Sequence, residues 1–566
     1  MTLLTILPLV LVCAPSGLVR DRAPDADPRD DYDVLCYRLD LRVDPAEERL
    51  SGTVAVEVRV VAEHLGALVL DMRDALEPQA VVRPEQPLGP ATSLAGERLR
   101  FRHDRDLLTC LLPEPLPRGE RLTVAVRYSG MPTSVNGFDG FHWSRTPSGA
   151  PWISTSCQGL GAHYWWPCKA SFYNPEDKQD RLFVNATVPA GLTAVSNGRL
   201  TGRETEEDGW ETFHWRHDYP CETYSVCLNV APYEVVADEL SLPGIDHPVP
   251  FAYWVLPEHL ERARVQFADV PRFLEVMSDA FGPWPFPESK VGLVETSFWG
   301  MEHSTAVAYG SSFPAWIAQH GGVDPYAERN RFFDYILIHE MAHEWWGNAV
   351  SAADWSDFWL HEGFATYAEG VYVERVQGRE QADRFFTRQE RFTHPKARLL
   401  GAPGSNSKQA YNSAIYSKGA CVLNTLRYFV DDDDAWWRAL RTFNLQYRYR
   451  NASTEDFRAV VEAETGRSWE RFFDEWVRGA GQPRLEGWVA LADGELQVRV
   501  SNPEREGTSF HVPLDLAWKE GEVARRRRVM LEPGDNRLDL PVGPAARELA
   551  IEHLDRVLGP HQVAVH

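Results

Sequence analysis

The chain has 566 residues, which is too long for one hydrophobic core and predicts three or four domains of about 100–200 residues each. Apolar residues make up 44% and charged residues 25%, a balance that excludes a mainly disordered or collagen-like chain. The net charge of −24 argues against binding to nucleic acid or anionic lipid by charge attraction. No apolar run reaches the ~18–20 residues of a membrane-spanning helix, so we expect neither a transmembrane segment nor a nucleic-acid partner.

The chain begins with an apolar segment, residues 3–13, that resembles the core of a secretion signal. Val12-Cys13-Ala14 offers a small-residue cleavage site, although no Lys or Arg precedes the apolar run. The alternative is a frayed cytosolic N-terminus. Because the polar stretch 20–31 looks like a tether, we interpret residues 1–31 as a leader and linker. This interpretation slightly favours export (secreted, periplasmic or at the cell surface) over a cytoplasmic location.

Alternating apolar and polar residues predict β-strands in the first part of the chain. The alternation is clear in residues 37–43 and 54–60. Gly and Pro residues punctuate these runs, which is typical of turns between short antiparallel strands. We therefore predict an N-terminal antiparallel β domain over residues 32–240.

The period of the apolar residues changes to three or four near residue 257, which predicts a mainly helical domain over residues 241–482. Alternation returns afterwards and predicts a small C-terminal β-sandwich over residues 483–566. The predicted fold class is therefore multidomain α+β. An acidic run at 431–434 is interpreted as a solvated loop and not as a metal site. The predicted helices cover residues 259–281, 329–347, 363–376, 381–392, 416–429 and 454–465.

One pattern in the helical domain predicts a metal site. In His339-Glu340-Met341-Ala342-His343, the two histidines lie one helical turn apart on the same face, so both imidazoles can reach one ion. Glu340 lies beside them and can take a proton from a metal-activated water. Eighteen residues separate His343 from Glu362, which is enough chain to return in an adjacent helix. Two His and one Glu with an open fourth position form a catalytic zinc set, whereas a structural zinc site is closed by four protein ligands.

Together with three other motifs, this pattern resembles the aminopeptidase N family of zinc aminopeptidases, which also includes leukotriene hydrolase. The resemblance covers about residues 154–476 and implies a saddle-shaped N-terminal β domain, a thermolysin-like catalytic domain and one zinc ion per chain. The matching motifs are Gly300-Met301-Glu302-His303, His339-Glu340-Met341-Ala342-His343-Glu344-Trp345-Trp346-Gly347-Asn348, Leu360-His361-Glu362-Gly363-Phe364-Ala365 and Tyr416-Ser417-Lys418-Gly419.

The resemblance also implies a reaction, the hydrolysis of the N-terminal peptide bond of peptides that have a free amino terminus. In it, zinc polarises the carbonyl and activates the water. The implied roles are zinc ligands for His339, His343 and Glu362, general base for Glu340, oxyanion donor for Tyr416, α-amine binding for Glu302 and Gln158, and backbone pairing with the substrate for Gly300 and Met301.

Three positions depart from the common pattern of the family. His303 and His361 stand where Asn is common, and Glu344 stands where Gln is common. We expect them to shift affinity or pH optimum while the chemistry persists. Many members also carry a C-terminal helical array; here the chain stops after the predicted β-sandwich, so we expect a more open cleft. The sequence predicts neither the preferred N-terminal residue nor the oligomeric state.

Three other functions remain open on the sequence alone. A thermolysin-type endopeptidase shares the zinc set, but the Gly300-Met301-Glu302 motif argues against it. An epoxide hydrolase like the bifunctional relative would need a deep lipid tunnel, which the helical array normally completes. An inactive peptide-binding homologue would have no need for the intact set of candidate catalytic residues, His339, Glu340, His343, Glu362 and Tyr416.

Overall fold

The computed structural model describes residues 27–566 apart from 86–91, 136, 160, 171–176 and 493. The interpreted leader and linker therefore lie outside the described residues, except for residues 27–31. A β-rich N-terminal region, a mainly helical region and a C-terminal β region follow one another along the chain, which confirms the predicted α+β class. None of the helices in the described part of the chain is long and apolar enough to span a membrane.

The N-terminal region is built from strands. They are β1 (Tyr32–Asp44), β2 (Arg49–Val60), β3 (His64–Asp71), β4 (Leu76–Pro84), β5 (Gly96–Arg98), β6 (Arg100–Asp104), β7 (Leu107–Pro117), β8 (Arg121–Gly130), β9 (Ser134–Val135), β10 (Asp139–Arg145), β11 (Pro151–Ser156), β12 (Arg181–Val188), β13 (Thr193–Val195), β14 (Arg199–Thr205), β15 (Glu211–His217) and β16 (Asn229–Ala231). Among the described residues they form an eight-stranded sheet (β14-β15-β12-β1-β2-β8-β4-β5), a five-stranded sheet (β13-β16-β11-β10-β9) and a three-stranded sheet (β3-β7-β6).

The large sheet follows from the alternation of the sequence. In β1 and β2, Tyr37 is paired with Val56 and Leu39 with Val54, and all four side chains are fully buried. Because side chains alternate between the faces of a strand, this register places one apolar face toward the core. β1 is central in the sheet, antiparallel to β2 and parallel to β12.

The middle region combines a second five-stranded sheet with helices. Its strands are β17 (Glu234–Leu240), β18 (Val249–Val255), β19 (Val291–Glu295), β20 (Gly300–Met301), β21 (Val307–Tyr309), β22 (Val350–Ala352) and β23 (Arg450–Ala452). Its helices are α1 (Leu260–Gln266), α2 (Val270–Phe281), α3 (Pro314–Gln319), α4 (Tyr335–Ala342), α5 (Trp359–Gln377), α6 (Arg379–Gln389), α7 (Ser407–Ala410), α8 (Ala414–Val430), α9 (Asp433–Tyr447), α10 (Thr454–Thr465) and α11 (Glu470–Phe473). The sheet order is β17-β18-β19-β21-β20, and β22 pairs with β23.

Two details differ from the sequence prediction. The helix predicted over 329–347 is shorter, because α4 begins only after Asp334, whose side chain accepts a hydrogen bond from the backbone N–H of Leu337 at 3.3 Å. The acidic run predicted as a loop instead starts α9. Asp432 caps that helix by accepting from the N–H of Ala435 at 3.0 Å, and acidic side chains stabilise a helix N-terminus.

The C-terminal region holds β24 (Glu486–Ala492), β25 (Glu495–Asn502), β26 (Val512–Glu520), β27 (Val523–Leu531), β28 (Gly534–Pro541), β29 (Ala546–Glu552) and β30 (Gln562–Val565). They form sheets of the order β28-β25-β24-β30 and β27-β26-β29. Arg528 of β27 donates to the backbone oxygen of Tyr428 in α8 at 3.1 Å, which ties this region to the helical one. The predicted domain boundaries stay predictions; β17, placed by sequence in the N-terminal domain, pairs with β18 of the next region.

Candidate metal centre

Helices α4 and α5 bring the three predicted metal ligands together. His339 lies in the last turn of α4 and His343 caps its C-terminal end, while Glu362 lies in the first turn of α5. The two Nε2 atoms are 3.3 Å apart. Glu362 Oε2 lies 3.3 Å from Nε2 of His339 and 3.4 Å from Nε2 of His343. All three side chains are buried.

These separations fit a tetrahedral zinc ion. Zinc–ligand bonds of about 2.0–2.1 Å at the tetrahedral angle place neighbouring ligand atoms about 3.3–3.4 Å apart. Glu362 Oε2 is buried and receives no hydrogen bond from the residues that the structure describes, so its lone pairs are available to a cation. Three protein ligands leave one tetrahedral position for water or substrate, which is the arrangement of catalytic zinc sites.

Hydrogen bonds to the other ring nitrogens orient both imidazoles. Nδ1 of His339 lies 2.7 Å from Glu369 Oε1, and Nδ1 of His343 lies 2.8 Å from the backbone oxygen of Trp346. Because these oxygens only accept, each Nδ1 carries the hydrogen and each neutral ring presents a lone pair at Nε2. Sequence reasoning missed Glu369, although it follows Glu362 by seven residues, two turns along the same face of α5.

The charges around the ligands favour a cation. Burial alone would lower the pKa of His343, but the carboxylates of Glu302 and Glu362 raise it to about 9. Burial alone would raise the pKa of Glu362, yet the imidazoles of His343 and His339 hold it well below its usual range. A group of carboxylates that stabilises a proton on an imidazole also stabilises a metal ion at the same place.

Glu340 lies next to the metal ligands without belonging to the three-ligand set. One of its carboxylate oxygens is within 4.8 Å of side-chain ligand atoms of Glu302 and His343. Burial raises the pKa of Glu340 to about 8. Strand β20 passes so close that a Cβ atom at Gly300 would lie 2.7 Å from Glu340 Oε1. Any residue other than glycine at position 300 would therefore displace the Glu340 carboxylate.

A polar pair of side chains, Glu302 and Gln158, adjoins the ligands; we call it the recess. Glu302 is buried, and Gln158, which follows β11 of the N-terminal region, donates its Nε2–H to Glu302 Oε1. The same Nε2 lies 3.4 Å from Glu362 Oε1. The Tyr411 hydroxyl donates to Gln158 Oε1 and thereby fixes which end of the amide faces Glu302. Two regions of the chain thus build one recess, with Gln158 and Glu302 in direct contact.

Tyr416 completes the group of predicted catalytic residues. It lies in the first turn of α8, with its ring stacked 6.0 Å from the ring of His339, and it is half-buried. The ring of Tyr411 lies 6.3 Å from that of Tyr416, and the Tyr411 hydroxyl lies 3.3 Å from Glu362 Oε1. Sequence reasoning missed Tyr411, because an aromatic residue five positions before Tyr416 carries no signal of its own.

Gly300 and Met301 form β20, which is an edge strand of its sheet. β20 pairs with β21 through Gly300–Tyr309 and Met301–Ala308, and no described strand pairs with its other side. The free side of an edge strand can pair with an extended peptide. β20 therefore has one edge, next to Glu302, that no described strand occupies.

Two family models match this chain, the Peptidase M1 N-terminal domain over residues 33–225 and the Peptidase family M1 domain over residues 266–476. The chain belongs to peptidase family M1. This result confirms the resemblance seen in the sequence, and the matched residues include all of the candidate metal ligands.

Curated relatives of this M1 peptidase are distant and longer. Human aminopeptidase B is 25% identical over 458 residues, which cover 75% of this chain and 65% of that protein. Human endoplasmic reticulum aminopeptidase 1 is 26% identical over 422 residues, covering 72% of this chain and 42% of that protein. The chain therefore spans less than two thirds of the length of these relatives.

Solved structures give a closer match in length. A point mutant of an M1 zinc metallopeptidase from Deinococcus radiodurans, bound to a Tyr-Ser-Ala substrate, is 25% identical with a TM-score of 0.64. The match covers 80% of this chain and 95% of that one. Another structure of an M1 zinc metallopeptidase from the same organism matches with a TM-score of 0.62 at 24% identity, covering 79% of this chain and 94% of that one.

Glu344, one of the departures from the common pattern, supports the loop that carries Glu302. Its Oε1 accepts from the backbone N–H of Thr305 at 2.7 Å, and its Oε2 accepts from Asn348 Nδ2 at 3.2 Å. Asn348 Nδ2 also donates to the backbone oxygen of Glu302 at 2.9 Å. Thr305 has a left-handed backbone (φ 58°), which is strained for a β-branched residue, so this loop needs such support.

The other two departures are buried histidines in this M1 peptidase. Burial lowers the pKa of His303 to about 3, and neither of its ring nitrogens has a partner among the described residues. His361 accepts a hydrogen bond at Nε2 from the backbone N–H of Ala352 at 2.8 Å, and burial lowers its pKa to about 3. Both rings are therefore neutral at physiological pH.

Proposed function

We propose that this M1 peptidase is a zinc-dependent aminopeptidase that removes single N-terminal residues from peptides. The observation that carries the proposal is the recess of Glu302 and Gln158, which adjoins the three-ligand metal set through Glu362. A carboxylate at this place can bind the ammonium of a substrate whose first carbonyl lies at the metal. The curated relatives named above are aminopeptidases, which supports the same proposal.

The side chains around the metal divide the reaction between them. A zinc ion held by His339, His343 and Glu362 supplies Lewis acidity to the scissile carbonyl and to the attacking water. The Glu340 carboxylate takes a proton from that water and delivers it to the leaving amine. The Tyr416 hydroxyl donates a hydrogen bond to the oxygen of the scissile carbonyl as negative charge develops on it.

The recess explains why the first residue would be removed and internal bonds spared. Glu302 is a buried carboxylate that can accept a charge-assisted hydrogen bond from a charged amino terminus. Gln158 donates a hydrogen bond to Glu302 and supplies a carbonyl oxygen beside it, which a second ammonium donor could use. The free edge of β20 would hold the residues that follow in an extended conformation. Blocked or internal amides have no ammonium group. They would leave the Glu302 carboxylate without an ionic partner, so we expect them to bind less tightly.

The proposal is tested with a panel of amino-acid anilides and their N-acetylated counterparts, each measured with and without a zinc chelator. We expect cleavage of the free-amine substrates only, abolished by the chelator and restored by added zinc. The same panel ranks the side chains accepted at the first position.

The alternatives give different results in this panel. Equal cleavage of free and acetylated substrates would indicate an endopeptidase and would remove Glu302 from an amine-binding role. Absence of cleavage by the zinc-loaded protein would favour an epoxide hydrolase or an inactive peptide-binding homologue.

A further inference from the structure

A group of aromatic rings at the start of β20 carries an exposed guanidinium. Trp299 comes immediately before β20, and its ring lies 5.3 Å from the ring of Tyr326 and 6.0 Å from the ring of Tyr335. The guanidinium carbon of Arg329 lies over two of these rings, 4.5 Å from the centre of the Trp299 ring and 5.4 Å from that of Tyr335. Cation–π contacts of this kind hold the guanidinium in place and leave the N–H groups at its edge free to donate.

The turn that carries Arg329 is fixed to the start of α4. The backbone N–H of Arg329 donates to the backbone oxygen of Tyr326 at 2.8 Å. Asn330 Nδ2 donates to Asp324 Oδ2 at 3.0 Å, and Asn330 Oδ1 accepts from the backbone N–H of Tyr335, the first residue of α4, at 3.0 Å. The Arg329 side chain therefore starts from a defined backbone position.

One shared ring connects Arg329 to the metal centre. Tyr335 stacks on His339, one of the three metal ligands, with ring centres 5.3 Å apart. The distance from the Arg329 guanidinium to the His339 ring cannot exceed the sum of this contact and the 5.4 Å contact with Tyr335. Burial raises the pKa of the Tyr335 hydroxyl, and the charges of His339 and Arg329 act in the opposite direction.

The positive charge of Arg329 is not neutralised by a neighbour. Its side chain is exposed and forms no ion pair with any residue that the structure describes, and the same is true of Arg331 and Arg391. Arg388, nearby, pairs with Glu328 at 3.5 Å. Burial lowers the pKa of Arg388, and the charges of the three unpaired arginines lower it further. In a chain with a net charge of −24, this rim is locally positive and suits an anionic part of a substrate.

The direction in which a peptide would cross the site follows from the two ends of β20. A Cβ atom at Gly300 would lie 2.7 Å from Glu340, the proposed general base, whereas Glu302, the proposed amine-binding residue, comes two positions later. A substrate with its amine at Glu302 and its first carbonyl beside Glu340 therefore runs antiparallel to β20. Its following residues pass Trp299 and reach the guanidinium.

We propose that Arg329 is a specificity-determining residue that binds a substrate carboxylate on the second or third residue after the scissile bond, an inference that rests on the proposed aminopeptidase function. An extended peptide rises by about 3.3 Å per residue, so the C-terminal carboxylate lies ~7 Å beyond the scissile carbonyl in a tripeptide and ~10 Å beyond it in a tetrapeptide. Both lengths fall within the limit set by the ring contacts of Tyr335. The planar fork of an arginine can bind a terminal carboxylate or an acidic side chain at this place.

The test compares substrates that differ in one carboxylate. The first pair is a tripeptide, in which two alanines follow a first residue that the anilide panel shows to be accepted, and its C-terminal amide. The second pair is two tripeptide amides that end in Asp or in Asn, which moves the carboxylate to a side chain. For the zinc-loaded wild type we expect kcat/KM to be about five-fold higher for the acidic member of a pair, through a lower KM, as an exposed ion pair allows. This preference should shrink at high ionic strength.

Arg329→Gln should bring the ratio within each pair close to one. Arg331→Gln is the matched control, because it removes the same charge from an exposed side chain two positions away that has no described ring contact. It should keep the wild-type ratio. Both side chains are exposed, so the midpoint of thermal unfolding should match that of the wild type in both variants.

The outcomes separate this inference from the proposed function. A wild type that cleaves free-amine anilides but treats both members of each pair alike would overturn the role of Arg329 alone, and so would a preference that survives in Arg329→Gln. A wild type that cleaves no anilide, or cleaves acetylated anilides equally, would overturn the aminopeptidase proposal itself. Equal losses in Arg329→Gln and Arg331→Gln would show that the general positive charge, and not contact with Arg329, selects the carboxylate. A preference in the first pair alone would assign Arg329 to the carboxyl terminus, and one in the second pair alone to an acidic side chain.

Discussion

Single residues in the metal centre differ in role according to where their lone pairs point. Glu362 and Glu340 are both buried carboxylates near His343. Glu362 Oε2 is nearly equidistant from the two imidazoles, at 3.3 and 3.4 Å, which is the position of a metal ligand. Glu340 instead groups with Glu302 and His343, the side-chain ligand atoms of the three lying within 4.8 Å of one another. We infer that Glu362 holds the metal and Glu340 moves the proton.

Glu340→Gln tests this division of roles. The amide keeps the shape of the side chain but cannot accept a proton from water, so kcat should fall by about 10²–10⁴-fold. Zinc content, measured by atomic absorption, should stay at one ion per chain, because no ligand is removed. Glu261→Gln, at a highly exposed side chain, is the control and should change neither value. Loss of zinc in Glu340→Gln would contradict the assignment and make this carboxylate a ligand.

The site residues that sequence reasoning identified share one property, which is a local spacing or a resemblance to a family motif. The spacing of His339 and His343 in a helix is enough to place two imidazoles on one face. Glu369 and Tyr411 were missed because their roles depend on contacts between separate parts of the chain. Tyr411, for example, contacts Gln158 across 253 positions. Only a structure shows which of many tyrosines lies beside the side chains of the site.

Among the secondary-structure elements, the contact between β20 and α4 controls the geometry of the site. β20 is a short edge strand, and α4 carries both Glu340 and His339. A Cβ atom at Gly300 would lie 2.7 Å from Glu340 Oε1 and 2.9 Å from Ile336 Cγ2. The strand can approach the helix this closely only because position 300 has no side chain.

Gly300→Ala is therefore expected to separate β20 from α4 or to displace the Glu340 carboxylate. Because a displacement of about 1 Å near reacting groups can cost about 10²-fold, kcat/KM should fall by about ten- to a hundred-fold. Gly66→Ala is the matched control, since a Cβ atom there meets nothing within 4 Å and the backbone of Gly66 is not left-handed. Comparable kcat/KM values for Gly300→Ala and Gly66→Ala would show that the close approach is not needed.

The order of the elements was more predictable than their ends. Alternation and helical periodicity predicted a β region, a helical region and a second β region, and the structure has all three. The missed helix α9 shows the limit of pattern reading. Its first turn is acidic and resembles a solvated loop, whereas the capping by Asp432 and the burial of Trp436 and Leu440 make it a helix. Burial on one face comes from tertiary packing, which composition does not contain.

At the scale of the whole molecule, the site depends on the seam between the N-terminal and helical regions, because Gln158 and Glu302 lie on opposite sides of it. Lys290, just before β19, crosses this seam. Its Nζ is buried and donates to the backbone oxygens of Ser196, at 2.9 Å, and of Gly198. Without this donor, two buried carbonyl groups would lack a partner, which costs about 1–3 kcal/mol for each group.

Lys290→Met tests how strongly this contact stabilises the seam and how it depends on pH. Burial lowers the pKa of Lys290 to about 7, well below the value of about 10.4 expected in the unfolded chain. Between these values the unfolded chain binds more protons at this site, so the stabilisation by Lys290 is complete above the unfolded pKa and is lost as the pH falls to about 7. The midpoint of thermal unfolding should therefore be higher for the wild type than for Lys290→Met at pH 9, and the difference should shrink toward pH 7.

Lys396→Met, at a side chain that is 83% exposed, is the control and should leave the midpoint unchanged. Parallel pH profiles for the wild type and Lys290→Met would mean that Lys290 stays protonated in the folded protein throughout this range.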